Sequence, residues 1–572
     1  MERIHSMFVF IVQSALAFCL SWAFWRLSSR FIVKTDLNNI AGPPSNSFWK
    51  GNFGQLFNVD GWDFHRDIAE KFGKVILING LFGRKQLYVF DPKALHHILV
   101  KDQQIFEETD AFFETNRLLF GEGLLTTHGE RHRRQRKMLN PVFSINHMRQ
   151  MIPFFYDVAN KLHVAIARQV ADGPREIDIL QWMTRAALEM IGQGGLGYSF
   201  DSLVGGEAEH PYSKSVKGLM PTIFTLALPR VFLLTTLVKI GTPRFRRSFM
   251  ELLPLKNLHR LKDIVDVMEE TSIDIFNCKK QALEEGDAAL MQQVGQGKDI
   301  ISILMKANRE ASESDRLKEE EVLGQMSTLI FAAMDTTSNA LSRILHLLAI
   351  HPEIQEKVRQ EVKEAHDKHG DIPHDELVVL PFLDAICRET LRLFPPVTLV
   401  TRRARQDTIL PLSTPLEGLD GREMHEITIP EKTDVIVSIL NTNRDPSLWG
   451  PDSYEWKPER WLSPLPDAVI DAHLPGVYSH LLTFIGGGRA CIGFKFSQLE
   501  MSAPISDDFL RPMADTNVRL LKSEVVLSVL LLHFRFHPPE AEIVWEMGPI
   551  AIPTVKGKSG EPVLPLKMEL LV

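Results

Sequence analysis

The residues with the clearest chemical potential form the stretch FIGGGRACIGF, from Phe484 to Phe494, in which a single thiol, Cys491, lies among four glycines and one arginine. A helical pattern follows the cysteine, so the thiol is predicted to face the positive end of a helix dipole, where free amides stabilise a thiolate. Structural zinc needs four ligands, whereas haem iron accepts one protein thiolate. These residues alone leave two interpretations open, a haem ligand or an inert buried cysteine in a turn.

Composition limits the kinds of protein that this chain can be. Hydrophobic residues make up 44% of its 572 residues, which is enough for a large buried core and gives no indication of disorder. The net charge of −8 is mild and no block of like charge dominates, which argues against nucleic acid as a partner. The cysteines are few, far apart and typical of reduced thiols in a cytosolic setting: Cys19, Cys278, Cys387 and Cys491.

A long apolar-periodic run must carry polar residues through the centre of the fold. Residues Arg316 to Ile350 contain no proline and one glycine, which predicts one long central helix. Asp335 and Thr336 interrupt its apolar centre, and a buried aspartate costs free energy unless it is paired. One interpretation is local, because Thr and Ser hydroxyls bond back to carbonyls one turn earlier and bend a helix. The other is a kinked helix that holds an acid and a hydroxyl beside a buried reaction centre.

A second set of polar residues is predicted to be structural. Glu389 and Arg392 lie three residues apart and therefore share one face of a helix. Their apolar neighbours favour a buried, fully hydrogen-bonded pair over a weak exposed one, and a buried arginine needs more than one partner. Arg460, in the sequence WKPERW, is the candidate third member.

The first 44 residues predict a membrane anchor and a linker. Met7 to Trp25 carries no charge and as a helix spans roughly 28 Å, close to the thickness of a bilayer core. Aromatic residues end this run and basic residues follow it, which favours a retained anchor, residues 1–26, over a cleaved signal peptide. Residues 27–44 are predicted to form a basic and proline-rich linker, with the rest of the chain on the cytosolic side.

Two further stretches depart from the helical pattern of the rest. Gly73 to Asp91 has β-branched residues and turn glycines, which predict strands. Met220 to Gly241 is apolar, but two prolines, Arg230 and Lys239 argue against a second membrane span. This stretch is interpreted either as a surface that dips into the membrane or as core.

Four motifs, in matching order and spacing, resemble those of the cytochrome P-450 family. The pattern F-x-x-G-x-R-x-C-x-G is matched in full from Phe484 to Gly493, and E-x-x-R is matched by Glu389 and Arg392. The P-E-R-W of Pro458 to Trp461 and the A-x-x-D-T-T-like centre of the long helix complete the set. The resemblance, which has the character of fungal microsomal members, implies a mainly α fold with a small β region over residues 45–572, preceded by one transmembrane helix.

The resemblance assigns roles to individual residues. It implies that Cys491 is the axial thiolate ligand of the iron of haem b, and that Phe484 packs against the cysteine loop. Asp335 and Thr336 are implied to deliver protons for the activation of dioxygen. One acid and two arginines are implied to form a structural network behind the haem, outside the catalytic step: Glu389, Arg392 and Arg460.

Glycines and basic residues are implied to hold the haem. His132 stands where the family usually has tryptophan, although its N–H group can still donate to a propionate. Arg402 has a basic neighbour, Arg403, which leaves the register of this predicted propionate contact open. The implied cofactor-binding set is Cys491, Phe484, Gly487, Gly493, Arg489, Arg136, His132 and Arg402.

The implied activity is that of a haem-thiolate monooxygenase, which inserts one oxygen atom from dioxygen into a hydrophobic small molecule. Electrons are implied to come from NADPH through a reductase at the membrane of the endoplasmic reticulum. A basic surface is predicted to dock this reductase, with a merely solvated basic helix as the alternative: Arg131, Arg133, Arg134 and Lys137.

The substrate is predicted only as a class. Regions that line the pocket in the family are aromatic and aliphatic here, including Phe113, Phe120, Phe331 and Ala332, which favours a terpenoid, steroid, polyketide or polycyclic aromatic. Two rival functions stay open. One is a reductase-independent haem-thiolate isomerase or dehydratase, and the other is a non-catalytic haem binder.

A segment after the cysteine departs from the family. The helix predicted to start near Ile492 reaches Met501 and resumes from Glu524 to Phe536, whereas residues 502–523 contain two prolines and little periodicity. Their excision would join two apolar helical halves. We therefore predict a translated intron or gene-model artefact, with a real surface loop as the alternative.

Overall fold

The computed structural model describes residues 35–203, 210–373, 380–501 and 525–571, together with Ser14, Ala17 and Ser21. The predicted anchor, residues 1–26, lies outside the described residues apart from those three positions, as do residues 502–523 and the linker before residue 35. Within these described ranges, no single helix is both long enough and apolar enough to span a membrane.

Helices form most of the chain, as the sequence predicts, and shorter helical turns connect them. Their apolar faces pack into one large core. The longer ones are α1 (Trp62–Phe72), α2 (Asp110–Phe120), α3 (Gly129–Leu139), α4 (Ile145–Gln169), α5 (Ile179–Met190), α6 (Pro211–Thr225), α7 (Pro243–Leu252), α8 (Lys256–Glu285), α9 (Ile300–Glu310), α10 (Glu319–Ile350), α11 (Pro352–His369), α12 (Pro381–Leu393), α13 (Phe494–Met501) and α14 (Val525–His533).

In the described ranges the strands form four small sheets. A five-stranded sheet has the order β1-β2-β8-β5-β3, in which β2 and β8 are parallel and the other neighbours antiparallel. Further antiparallel groups are β4-β12-β9, β6-β7 and β10-β11. The strands are β1 (Val75–Asn79), β2 (Lys85–Val89), β3 (Phe106–Glu107), β4 (Arg175–Asp178), β5 (Leu399–Ala404), β6 (Thr408–Glu417), β7 (Glu423–Ile429), β8 (Asp434–Ser438), β9 (Phe534–His537), β10 (Ile543–Glu546), β11 (Ile552–Val555) and β12 (Pro565–Leu570).

The central helix α10 positions much of the molecule. It begins at Glu319, after Lys318, whose backbone N–H donates to Glu321 Oε2 at 3.0 Å. It then runs without a break to Ile350 and packs against α5 and α13. Most of its side chains are buried, so the predicted long central helix is present.

One helix boundary predicted from the sequence is wrong. The helix resuming after residue 524 was expected to continue to Phe536, but α14 ends at His533 and β9 begins at Phe534. The reason is long-range, because β9 pairs antiparallel with β12 and aligns Phe534 with Leu570. An apolar run of this length does not by itself distinguish a buried helix from a strand.

The apolar stretch from residue 220 to 241 is mostly surface. Its first residues complete α6, which continues through Pro221, and short helical turns follow as far as Leu237. Phe232 and Ile240 are 43% and 50% exposed, so the alternative that this stretch is core is wrong for its second half. The helices Pro211–Thr225 and Arg230–Leu237 are together long and apolar enough for a membrane span, but the angle between them is 82°.

Candidate functional site

The loop around Cys491 is held by its own backbone and by aromatic packing. The Cys491 N–H donates to the carbonyl of Phe484 at 3.0 Å, which closes the loop. The Phe484 ring lies 5.2 Å from Tyr478 and 6.4 Å from Phe494, so it packs beside the loop. The Cys491 side chain is exposed, and α13 begins three residues later, at Phe494. The thiol therefore lies just before a helix, where the Gly493 backbone N–H and the charge of Arg136 act on it.

Two glycines of this loop, Gly487 and Gly493, differ in what surrounds them. Gly487 has a φ of 71°, and a Cβ there would lie 1.9 Å from the carbonyl oxygen of Leu99. The fold itself therefore requires a glycine at this position, and the implied contact of Gly487 with the haem stays a prediction. Gly493 differs, because a Cβ added there would meet nothing within 4 Å. Its backbone therefore borders open space, so no described neighbour requires a glycine at this position.

The protein alone does not favour a thiolate at Cys491. Although Cys491 keeps accessible surface, the protein atoms packed around its sulfur desolvate the thiol and raise its pKa, and the Gly493 backbone N–H and the Arg136 charge only partly oppose that effect. The Gly493 amide acts in the direction that the sequence predicts, and the desolvation that opposes it was not apparent from the sequence. A metal cation would have to supply the remaining stabilisation of the anionic sulfur.

An accessible face lies in the middle of α10. Ala332 is exposed and Asp335 and Thr336 are half-buried, although Ile330 and Met334 on the same helix are fully buried. The Thr336 hydroxyl donates to the carbonyl of Ala332 at 2.7 Å, which is the local bond that the first interpretation of this residue predicts. The same hydroxyl remains on the accessible face, so the local bond does not exclude a functional role.

The environment of Asp335 changes the pKa of its carboxyl group. Burial raises its pKa from 3.8 to about 7, and the positive charge of Lys217 on α6 only partly opposes this rise. Near neutral pH the group is therefore partly protonated and able to give or take a proton. Aromatic residues border this region, since the rings of Phe120 and Phe331 stack with centroids 4.7 Å apart.

Two arginines that are predicted to bind haem propionates, Arg402 and Arg489, both contact the buried carboxylate of Glu108. Arg402 Nη1 lies 3.1 Å from Glu108 Oε1, and Arg489 Nε lies 3.4 Å from Glu108 Oε2. Arg403 instead pairs with Asp434 at 2.6 Å, so the structure places Arg402, and not its neighbour, beside Arg489. Burial alone would raise the pKa of Glu108, but Arg402 and Arg489 outweigh it and the pKa lies below its ordinary value.

The other two predicted propionate residues lie on α3. Arg136 donates from Nη1 to the carbonyl of Ala490, directly before the cysteine. His132 is buried, and burial together with the charges of Arg489 and Arg136 lowers its pKa to about 3. The ring is therefore neutral and retains one N–H donor. Arg136 therefore contacts the cysteine loop from α3, Arg402 on β5 is linked to Arg489 of the loop through Glu108, and the neutral His132 lies near the charges of Arg136 and Arg489.

The predicted structural network is assembled around Glu389. Arg392 donates to both of its carboxylate oxygens at 2.8 Å, and both side chains are fully buried. Arg460 Nε lies 3.4 Å away from Glu389 Oε1. The Trp461 indole N–H also donates to this carboxylate at 2.9 Å, which the sequence did not reveal. Arg392 is further satisfied by the carbonyls of Asn443 and Ser453, so both charges are fully hydrogen-bonded.

Comparisons with known proteins agree with this arrangement. The profile of the family described as Cytochrome P-450 matches residues 41–506. Cytochrome P-450 monooxygenase 91 of Postia placenta is 52% identical over 559 residues, covering 98% of each chain. Ganoderic acid synthetase of Ganoderma lucidum is 43% identical over 555 residues, covering 96% of this chain and 97% of its own.

The chain belongs to the cytochrome P-450 family. The predicted family, and the enzyme class of a cytochrome P-450 monooxygenase, are thereby confirmed, as is a mainly α fold with a small β region. The family implies haem iron with a thiolate ligand, and the residues present fit this group. Cys491 keeps accessible surface, a Cβ added at Gly493 would meet nothing within 4 Å, and Arg136 and Arg489 lie at the loop, with Arg402 linked to Arg489 through Glu108.

Two residues near the predicted cofactor site of this cytochrome P-450 were missed. Glu108 lies between Arg402 and Arg489, and Glu107 Oε2 accepts from Arg489 Nη2 at 2.8 Å. The sequence FEETD shows these acids but not their partners, which lie far along the chain. Only the pairing of β3 with β5 brings the acids and Arg402 together.

The basic surface predicted to dock a reductase is largely occupied by internal ion pairs. Arg131 and Arg134 contact the buried carboxylate of Glu321 at 2.7 and 2.8 Å. Lys137 pairs with an aspartate at 2.9 Å. Arg133 is 81% exposed and makes only a 3.6 Å contact with an exposed acid. Most of this charge therefore ties α3 to the start of α10.

Proposed function

We propose that this chain is a haem-thiolate monooxygenase that takes electrons from NADPH through a membrane-bound reductase and oxygenates a hydrophobic small molecule. The observation that carries the proposal is that an accessible thiol and an accessible acid and hydroxyl belong to elements that pack against each other. The exposed thiol of Cys491 lies before α13, and α13 packs against α10, which bears the accessible Asp335 and Thr336. A ligand for iron and a proton-conducting pair suit dioxygen chemistry.

The chain's own residues have separable tasks in this scheme. Haem ligated by a thiolate supplies the oxidising chemistry when bound. Arg136, Arg402 and Arg489 would hold its propionates by charge-assisted hydrogen bonds. Asp335, with a pKa of about 7, holds a proton in part of the molecules at neutral pH and passes it toward the Thr336 hydroxyl. The buried apolar side chains around them exclude water.

The substrate is proposed to be a small hydrophobic molecule. Aromatic and aliphatic side chains border the accessible face of α10, including the stacked Phe120 and Phe331. A relative that matches nearly the whole chain is named ganoderic acid synthetase, which supports a terpenoid, steroid, polyketide or polycyclic aromatic of this general kind. The apolar lining accounts for affinity, and polar side chains on α10 would set orientation.

The protein is proposed to lie on the endoplasmic reticulum membrane, held by residues 1–26 and facing the cytosol. An exposed apolar surface supports the contact with lipid. Phe232 packs edge-on against Phe82 at 5.3 Å, and Trp49 packs against Phe82 at 5.6 Å. Leu233 and Leu237 extend this surface and are 52% and 48% exposed. Deleting residues 1–26 and replacing Phe232 by Asp together should move the protein from the membrane pellet to the supernatant.

We also propose that residues 502–523 are a translated intron or a gene-model artefact. The family match ends at residue 506, just inside this segment, and α14 resumes a buried apolar helix after it. Sequencing the mature transcript tests the proposal. A transcript that encodes the segment, together with full haem occupancy of the purified protein, would favour a real surface loop.

Reconstitution tests the proposed activity. The purified chain is combined with a fungal reductase, NADPH and a panel of hydrophobic substrates under isotopically labelled dioxygen. One labelled oxygen atom per product molecule, dependent on NADPH, is expected. Product that forms without NADPH would favour the isomerase or dehydratase. Normal haem reduction with no product from any substrate would favour the non-catalytic haem binder.

A further inference from the structure

We infer that α10 carries a second binding site, formed by Arg343 and His346, for a carboxylate group on the hydrophobic substrate. The inference rests on the proposed function, because it concerns the molecule that the same enzyme would oxidise. It narrows the substrate class to hydrophobic monocarboxylates, with the acid group held away from the position that reacts.

Arg343 is a guanidinium without a hydrogen-bond acceptor in the described part of the chain. Its Nε is buried and unpaired, and no described carboxylate forms an ion pair with it. Two aromatic rings lie against the guanidinium instead, with the centroid of Phe394 at 3.7 Å from its carbon and that of Trp545 at 4.4 Å. These rings fix the plane of the guanidinium and leave its donating edge free for a ligand.

The surroundings of Arg343 favour the binding of an anionic group to its guanidinium. Ser342 and Ile344, on either side of it, are fully buried, while Arg343 itself retains some accessible surface. Burial lowers the pKa of Arg343 well below its ordinary value, and its charged neighbour, Arg444, is a second cation that adds to this effect. A carboxylate that reached this guanidinium would relieve an uncompensated charge and form paired hydrogen bonds.

His346 adds a second donor one helical turn further on. Its Nδ1 lies 3.1 Å from the indole nitrogen of Trp545, which can only donate, so Nδ1 accepts. Burial and the charge of Arg343 lower the pKa of His346 to about 4, so the ring is neutral and its proton lies on Nε2. That N–H has no acceptor among the described residues. Trp545 is itself fixed, because its carbonyl accepts from Trp62 Nε1 at 2.6 Å.

Helix geometry places this site in line with the proposed reaction centre. Thr336, Asn339, Arg343 and His346 are spaced by three, four and three residues, so they share one face of α10. The seven residues from Thr336 to Arg343 span about 10 Å along the axis. Asn339 lies between them, and its buried Oδ1 also has no partner. The guanidinium is thus displaced from the Thr336 level by about 10 Å along the helix axis, which separates the acid group from the position that reacts.

Binding titrations with matched ligands test the inference. The full-length holoenzyme is titrated with dodecanoate and with a tricyclic diterpene acid, each compared with its methyl ester, and the change in the ferric Soret band gives Kd. For at least one pair, wild type is expected to bind the acid about 10- to 100-fold more tightly than the ester. Arg343→Gln should remove this difference by weakening the acid alone, and Arg343→Lys should restore part of it.

Two controls separate binding from folding and from overall charge. Arg316→Gln removes one positive charge from an exposed site and should leave the acid-to-ester ratio unchanged. The carbon monoxide spectrum of each reduced preparation reports an intact haem-thiolate site. If that spectrum is normal while wild type binds no acid more tightly than its ester, the carboxylate site is refuted and the proposed function stands. Equal weakening of acid and ester in Arg343→Gln would likewise make Arg343 a packing residue.

Discussion

Replacing Asp335 by asparagine should make the protein more stable and less effective as an oxygenase. Burial raises the pKa of Asp335 from 3.8 to about 7. A difference of one in pKa corresponds to about 1.4 kcal/mol, so the ionised carboxylate lowers the free energy of unfolding by at most about 4 kcal/mol. An asparagine amide cannot ionise, and Asp335→Asn therefore removes this penalty.

The sign and the pH window follow from the two pKa values. Below pH 3.8 the group is protonated in both folded and unfolded chains, and it imposes no penalty. As the pH rises, the unfolded chain releases the proton first, so the penalty grows until the folded group ionises near pH 7. The gain in the free energy of unfolding from Asp335→Asn should be about 2 kcal/mol at pH 5 and about 4 kcal/mol at pH 8.

Urea denaturation at these two pH values, followed by the haem absorbance and by far-ultraviolet circular dichroism, measures this gain. Asp157→Asn is the matched control, because Asp157 is exposed on α4 and pairs only with Lys161, at 2.6 Å. It should show no gain that grows with pH. If Asp335→Asn gave the same change at both pH values, or destabilised the protein at pH 8, the carboxyl group would not be desolvated as described.

Three further predictions concern other parts of the site. Thr336→Ala should leave haem binding intact and divert NADPH-derived electrons to hydrogen peroxide. An unchanged peroxide yield would mean that the Thr336 hydroxyl serves only its local hydrogen bond to the Ala332 carbonyl. Glu389→Gln should cost about 3 to 5 kcal/mol and lower the ratio of haem to protein, because Arg392 loses its buried counter-charge; normal haem content and unfolding would contradict this. Glu108→Gln should slow haem transfer to apomyoglobin by up to about tenfold, since an acid that competes with the propionates is removed; faster transfer would show that Glu108 supports the site.

Local spacing explains which parts of the site the sequence predicted. The loop of Cys491 and the pair of Glu389 and Arg392 are each contained in one short stretch, so backbone geometry alone brings their members together. The long helix was predicted for the same reason, since an uninterrupted apolar period specifies a buried helix without knowledge of its neighbours. Arg402 and Arg403 were not separated, because only the alternation of β5 decides which side chain faces Glu108.

Long-range packing explains what the sequence did not reveal. Glu108 reaches its arginines through the pairing of β3 with β5, and Trp461 reaches Glu389 across more than seventy residues of chain. The desolvation of Cys491 did not follow from the sequence, because burial depends on every element around the loop, whereas the helix-end argument uses only the residues that follow. Arg343 had a sequence signal, a polar residue on the Thr336 face of an apolar helix, but its lack of a partner appears only in the fold.

The most direct test of the account is the carbon monoxide difference spectrum of the reduced, purified chain, recorded beside that of Cys491→Ser. Wild type should show the Soret band at the position diagnostic of thiolate ligation, because Cys491 offers the exposed sulfur that the loop and α13 hold in place. The serine variant should lose that band, since its hydroxyl stays protonated near neutral pH and is a poor ligand. A thiolate-type band retained in Cys491→Ser, or absent from haem-loaded wild type, would contradict the assignment of Cys491 as the haem ligand.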